Sequence, residues 1–401
     1  MAWRHYFGVA LLFALASVYL GLDDSVKRLE KVIGRVRIEP AKLTHWENST
    51  ALNNGDCTVD EIANACEDVK IHFASSTAFI ACGDPLERTK WYPPACRHNA
   101  QARSEDSFRE SVFKHDIKTG TTTELQIEGL EGDFVSHGID IYQPPNDPSK
   151  VHIFAVRHAR EGDSVSIFSH TLGTNVMSLV KDVKHASIKT ANGVAAVGEF
   201  EFYMTNDHYF LRGPMRYLEE RLGPWRWATE VQYCDASQSS VYCRQVTERF
   251  PGANGIAVWE DRLFVGDSKN GTVSIYELRD DHGAEFKSQI ELGAAADNIN
   301  IIPTTGDLIV SIFPTLEDLP TYLANVHLLG RELLVPAAAL RLPKMNGYKP
   351  ELIYYDDGSV VSDMTAMALD PYSGVVIGAA VLQYGGFAVC KLPEDVVKSL
   401  A

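Results

Sequence analysis

The sequence predicts an all-β protein: a six-bladed β-propeller with helical insertions, preceded by an apolar leader helix. Three observations carry this. A unit made of a polar residue, a short apolar strand, a turn and a second apolar strand recurs six times, beginning near residues 67, 137, 192, 254, 297 and 363. The intervals, roughly 43 to 70 residues, are the scale of four-stranded blades. The six starts are all polar (Glu67, His137, Asn192, Asn254, Asp297 and Asp363), and a propeller gathers the starts of its innermost strands around a central channel.

Composition agrees. The chain has 401 residues, 45% of them hydrophobic and 10% aromatic, with 29 glycines. That is enough to bury a large core in one β domain or two smaller ones, and it argues against disorder. A formal charge of −16 argues against nucleic acid or an anionic membrane as a partner.

Taken in order, Met1 to His5 form a basic flank, Tyr6 to Leu22 carry no charge, and Asp23-Asp24 stop the run. This reads as a signal peptide or signal anchor at residues 1–22, and both send the chain into the secretory pathway. Asp23 to Val36 then reads as an amphipathic helix with Val26, Leu29, Val32 and Ile33 on one face, in a linker running to residue 50. The propeller is expected over residues 51–401. Secretion makes the seven cysteines candidate disulfides. Cys82/Cys96 and Cys234/Cys243 are close enough in sequence to staple loops, and Cys57/Cys390 would tie the domain's ends together. Asn48 and Asn270 head glycosylation triplets.

Three segments interrupt the repeat. Residues 83–110 contain Trp91, Tyr92, Pro93-Pro94 and Cys96. Leu211 to Tyr233 has helical and aromatic character, and Pro314 to Leu334 is a second apolar insertion. Beside a channel mouth, such segments serve as a lid, a substrate wall, a lipid-facing surface or plain packing.

The strand Phe200 to Phe210 ends in Asn206-Asp207-His208, three polar side chains that a hairpin turn does not need together. Asn192-Gly193 and Asn254-Gly255 recur as strand starts, with His137-Gly138 and Asp297-Asn298 as altered forms. Asn-Gly is also the commonest tight-turn pair. Carboxylates and amides without a thiolate or a Cys-x-x-Cys spacing point to a hard cation and away from zinc. Neither a Gly-x-Ser-x-Gly elbow, a zinc-protease helix nor a phosphate loop is present.

Thr205 to Phe210, with Ala253-Asn254-Gly255, Asp297-Asn298-Ile299, Cys66 to Val69, His137 to Ile139, Val156 to His158 and Phe387 to Leu392, resembles the serum paraoxonase/arylesterase family. The resemblance runs from about Cys57 to Leu392. It implies a secreted, calcium-dependent six-bladed propeller that hydrolyses lactones and aryl esters, small molecules bound at the channel mouth. Carried over by position, a catalytic calcium would be held by Glu67, Asn192, Asn254, Asp297 and Asn298. His137 and His158 match a histidine pair that activates water, with Asp207 and His208 orienting the cluster. The resemblance also implies a second, structural calcium. Asp68 matches one of its carboxylates, and the other falls on Gly193, which has no side-chain oxygen. Cys57 and Cys390 match the family's ring-closing disulfide, leaving Cys66 as the expected free thiol.

Two other readings stand beside this one: a related propeller acting on sugar lactones, and a binding propeller that keeps calcium for stability alone. The apolar leader and insertions also make a membrane or lipid surface a candidate partner.

Overall fold

The computed structural model describes residues 27, 30–39, 42–315, 322, 324–328 and 330–400. The expected leader lies outside the described residues, as do Val26 and Leu29. Residues 30–33 are helical and leave Val32 and Ile33 exposed.

Six antiparallel sheets make the six blades. Their inner strands are Cys66–His72 (blade I), Val135–Tyr142 (II), Ala191–Ala196 (III), Ala253–Trp259 (IV), Ala295–Ile302 (V) and Ala366–Asp370 (VI). The five starts at 67, 137, 192, 254 and 297 lie at the head of these strands, while Asp363 lies just ahead of the sixth. Blade II adds a fifth strand, Gln126–Glu128, parallel to Val176–Val183. Each inner strand touches those of both neighbouring blades, VI against I included, so the ring closes.

Strands here are buried on both faces because each blade is packed between two others. In Gly162–Thr171, Phe168 joins Phe79 and Ile153 between blades I and II. Val165 and Ile167 join Phe202 and Met204 between II and III. The period of two therefore sends alternate residues to different neighbours. Both sets are apolar, so the strands read as near-continuous apolar runs. Burying each such side chain contributes about 1.5–3 kcal/mol.

Closure joins the two ends of the propeller. Cys57–Asp60 pairs antiparallel with Phe387–Lys391 as the outer strand of blade VI, with Cys57 opposite Cys390. Those two cysteines are disulfide-bonded across 333 residues of chain, and Cys234–Cys243 closes a local hairpin. The remaining cysteines depart from expectation. Cys66 is not free: it is the register partner of Cys82 on the adjacent strand and is bonded to it. Cys96 does not reach Cys82. It sits in the turn after Pro93–Ala95 and is the free thiol, and burial raises its pKa to about 11. Asn48 is exposed, whereas Asn270 is half-buried with its amide donated to Asp267 at 2.9 Å.

Because a longer loop loses more unfolded-state entropy when closed, the two kinds of staple differ in value. Replacing Cys57 and Cys390 by alanine is expected to cost roughly 5 kcal/mol, against roughly 2.5 kcal/mol for Cys234 and Cys243. Urea unfolding of the two double variants measures the difference. Equal losses would show that the ring closure is not the weak seam.

Candidate active site

Five inner strands break register at their head. The breaks fall at Cys66/Asp68, Ser136/Ile139, Ala191/Val194, Ala253/Ile256 and Ala296/Ile299. Each is a bulge, with an extra residue opposite the partner strand, and a bulge re-aims its side chains. The residues set free are Glu67, His137-Gly138, Asn192-Gly193, Asn254-Gly255 and Asp297-Asn298. Glu67, His137, Asn192, Asn254 and Asp297 line one cavity of about 160 Å³ together with Asp363.

The glycines have a steric reason that is not a turn. A Cβ on Gly138 would lie 2.4 Å from the Asn192 carbonyl oxygen, and one on Gly255 would lie 2.3 Å from that of Asp297. Glycine lets the bulge of one blade press against the backbone of the next. Thr205, opposite the Asn192-Gly193 bulge, ties the same seam: it accepts from the Gly193 amide at 2.9 Å and donates to the Asn254 carbonyl at 2.6 Å.

The cavity floor is rich in acceptors. Glu67 Oε2, Asn192 Oδ1 and Asn254 Oδ1 are buried and accept no hydrogen bond. Asn298 donates to Glu67 Oε1 at 2.8 Å, and Asn192 spends its amide N–H on Asp207 Oδ2 at 3.4 Å. Burial, followed by the nearby Glu67 and Asp363 charges, holds the Asp297 carboxyl well above the usual range. Burial raises Asp363 to about 7. Among the described residues no three His, Cys, Asp or Glu side chains gather as a metal cluster. The oxygen donors on the wall are mixed, the carboxylates of Glu67, Asp297 and Asp363 and the amides of Asn192 and Asn254, and they suit a hard cation; Asn298 does not line the cavity and meets it only through its hydrogen bond to Glu67.

His137 and His158 do meet. His137 Nδ1 lies 3.0 Å from His158 Nε2, and His137 Nε2 lies 3.4 Å from Glu67 Oε1. Burial disfavours a charged His137, but Glu67 outweighs it and raises the histidine's pKa. For Glu67, burial pushes upward while His137, Asn298 and Arg88 outweigh it, leaving the carboxyl below its ordinary value. Only His137 of the pair lines the cavity; His158 stands behind it. Asp207 and His208 also line the cavity, and His208 Nδ1 is 2.7 Å from Asp207 Oδ1. Burial would raise Asp207, yet His208 and Arg216 hold it far below the carboxylate range. Asn206 faces away and braces residues 187–190: its Oδ1 accepts from Lys189 and Thr190, and its amide donates to Ser187 O. Asp68 does not reach the cavity; it accepts from the Val69 and Ile139 amides at 2.8 and 3.0 Å.

Sequence reasoning missed three contributors. Asp163 Oδ1 lies 3.0 Å from His158 Nδ1, as an ion-pair contact not aligned as a hydrogen bond, and its Oδ2 accepts from the Ala191 amide at 3.0 Å. The Tyr92 ring meets both imidazoles edge-on, with centroids 5.5 and 5.9 Å away. A buried Arg88–Glu110–Arg103 clamp grips Ser136, the residue before His137: the Ser136 amide donates to Glu110 at 3.0 Å, and Arg88 donates to the Ser136 carbonyl at 3.1 Å.

The channel mouth has an apolar rim, to which the insertions contribute. Pro94, Ala95, Phe313, Val381 and Leu382 wall the cavity. Tyr322 and Val326 pack on Leu382, and the helix Pro214–Leu222 docks through Arg216, which donates to the Pro93 carbonyl at 2.9 Å.

Fold and site together define a six-bladed propeller with an acceptor-rich channel mouth, a buried histidine pair and an apolar rim. A family model described as Arylesterase matches residues 105–383, and the chain belongs to that family. It is 32% identical over 232 residues to serum paraoxonase/arylesterase 2 of Rattus norvegicus, covering 57% of this chain and 61% of that one. With serum paraoxonase/lactonase 3 of Homo sapiens it shares 28% identity over 324 residues, 80% of this chain and 84% of that one. The chain thus spans about three fifths of the rat relative's length in the matched region.

The close approach of blades at the glycines is open to test. Gly255→Ala is expected to cost about 1–3 kcal/mol by overpacking, whereas Gly55→Ala, with nothing within 4 Å of the added carbon, stays within about 0.5 kcal/mol. Urea melts report both, and equal stability of the two variants would contradict the steric account.

Proposed function

We propose that this chain is a calcium-dependent hydrolase of carboxylic esters and lactones. The observation that carries this is the convergence of three buried, unpartnered oxygens, from Glu67, Asn192 and Asn254, on one cavity with Asp297. A buried acceptor left unmet costs about 1–3 kcal/mol, and three facing one cavity call for a cation. Glu67, Asn192, Asn254, Asp297 and Asn298 would hold calcium. When bound, it supplies the positive charge that stabilises negative charge developing on a substrate carbonyl oxygen.

The chain's own residues supply the proton chemistry. His137 Nε2 takes a proton from water as the water oxygen bonds to the carbonyl carbon. The same proton is returned to the departing alkoxide or phenoxide as the ester bond breaks. His158 and Asp163 set the direction of this transfer. With the His158 Nδ1 proton facing Asp163, His158 Nε2 accepts from His137 Nδ1–H and leaves His137 Nε2 as the base. Asp163 is a positioning residue in this scheme. The apolar rim favours an aryl or apolar acyl group over a polyhydroxylated sugar lactone. Three disulfides fit an oxidising, extracellular or secretory-pathway setting.

Hydrolysis of phenyl acetate and of a long-chain lactone, with and without chelator, tests the reading. Chelation is expected to abolish both activities, and His137→Gln to lower kcat by about 10²–10⁴. Asp163→Asn is expected to lower kcat with KM little changed and to shift the imidazole tautomer seen by nitrogen NMR. Activity that survives both chelation and His137→Gln would overturn the mechanism. Calcium binding without turnover would favour the binding propeller.

The helix Pro214–Leu222 further supports a lipid surface as the place of action. Two of its four charged residues, Arg216 and Glu219, are buried and Glu220 is half-buried, while Met215, Tyr217, Leu218 and Leu222 are exposed beside Arg212, Arg221 and Arg226. No described helix is long and apolar enough to cross a membrane, and this one would lie on the surface. Leu218→Asp with Leu222→Asp is expected to abolish sedimentation with phosphatidylcholine vesicles and to spare phenyl acetate hydrolysis. Undiminished vesicle binding would refute the assignment.

A further inference from the structure

The channel below the mouth carries its own charges, and the site described above uses none of them. Asp68 follows Glu67 on the inner strand of blade I and is buried. Two residues on, Lys70 lies on the same face of that strand, its side chain only 9% exposed. Its ammonium is 3.4 Å from Asp68 Oδ1 and donates to the Ile299 carbonyl at 3.2 Å and to Asn300 Oδ1 at 3.1 Å. The ammonium thus makes two hydrogen bonds to blade V and one ion pair within blade I. Asn300 is fixed for this role, because its amide N–H donates to the Met367 carbonyl of blade VI at 3.0 Å. Lys70 and Asn300 together therefore link three inner strands, those of blades I, V and VI.

We propose that the Lys70 ammonium is the resident cation of the lower channel and stands where the family resemblance implies a second, structural calcium, so that the chain takes one divalent ion and not two. The count of one rests on the mouth site proposed above; the role of Lys70 does not. Asp68 already faces two amide N–H groups and the ammonium, so a divalent ion brought to it would meet a like charge within a few ångströms. Gly193 contributes no side-chain oxygen, and a side chain there would press on the Asn254 carbonyl oxygen at 3.0 Å and on Ile256 at 3.1 Å. A buried carboxylate whose only cation is removed is strongly destabilising. A covalently tethered cation has one property a calcium lacks: no chelator can extract it.

Calcium per chain, measured by mass spectrometry after gel filtration, is combined with thermal melts in chelator. Expected are one calcium per wild-type chain and none in the Glu67→Gln/Asn254→Ala variant. Wild type stays folded in chelator, and Lys70→Met melts roughly 5 °C lower under the same condition. Two calcium ions per wild-type chain would overturn the inference while leaving the mouth site standing. So would a single ion that survives in the Glu67→Gln/Asn254→Ala variant and is lost in Asp68→Asn. If wild type binds none, the mouth reading fails, and the melting comparison still decides Lys70: identical melting of Lys70→Met and wild type in chelator overturns it.

Discussion

Unlike-strand packing at the channel mouth sets a constraint that the rest of the structure answers. Six inner strands converge there, and five carry a bulge that takes polar residues off the sheet faces. Glycines at 138, 193 and 255 let three of these bulges press on the next blade. The result is a crowd of oxygens with few donors. Burial already drives Asp297 and Asp363 toward their neutral forms, and at Asp297 the Glu67 and Asp363 charges add to it. Such a cluster is costly as it stands and becomes favourable around a cation, which is why the proposed activity and the fold's own electrostatics lead to one site.

Holding that cluster takes support from several directions. The six inter-blade cores fix the distance between neighbouring strands, and the Cys57–Cys390 staple keeps the ring from opening at its one seam. The Arg88–Glu110–Arg103 clamp fixes the backbone at Ser136, and through it His137. Asp207 draws the Asn192 amide N–H to itself, so that the amide oxygen is the atom left for the cavity. Beneath, Lys70 balances Asp68 and cross-links blades I and V.

Much of this was legible in the sequence, for a definable reason. The propeller repeats its geometry, so each inner strand announces itself by a polar residue ahead of an apolar run. Four of the starts carry glycine or a second polar residue where the bulge falls. Glu67, His137, Asn192, Asn254 and Asp297 were therefore found by pattern and meet in one cavity. What the pattern could not show are groups placed by tertiary contact alone. Asp163 follows Gly162 at a hairpin and looks like a turn residue, yet it stands against His158. Tyr92 and Arg88 belong to an insertion with no repeat to compare. The cysteines misled in the same way. Loop length favoured Cys82 with Cys96, whereas strand register sets Cys66 opposite Cys82. The Asn-Gly pairs would pass for turns until a neighbouring carbonyl is seen 2.3 to 3.0 Å from the missing Cβ.

The proposed calcium site at the channel mouth is made by five side chains. A crystal structure of the calcium-loaded protein, with the ion located by anomalous scattering, tests it most directly. One peak is expected about 2.3–2.6 Å from side-chain oxygens of Glu67, Asn192, Asn254, Asp297 and Asn298. A peak away from these oxygens, or none at a saturating calcium concentration, would contradict it.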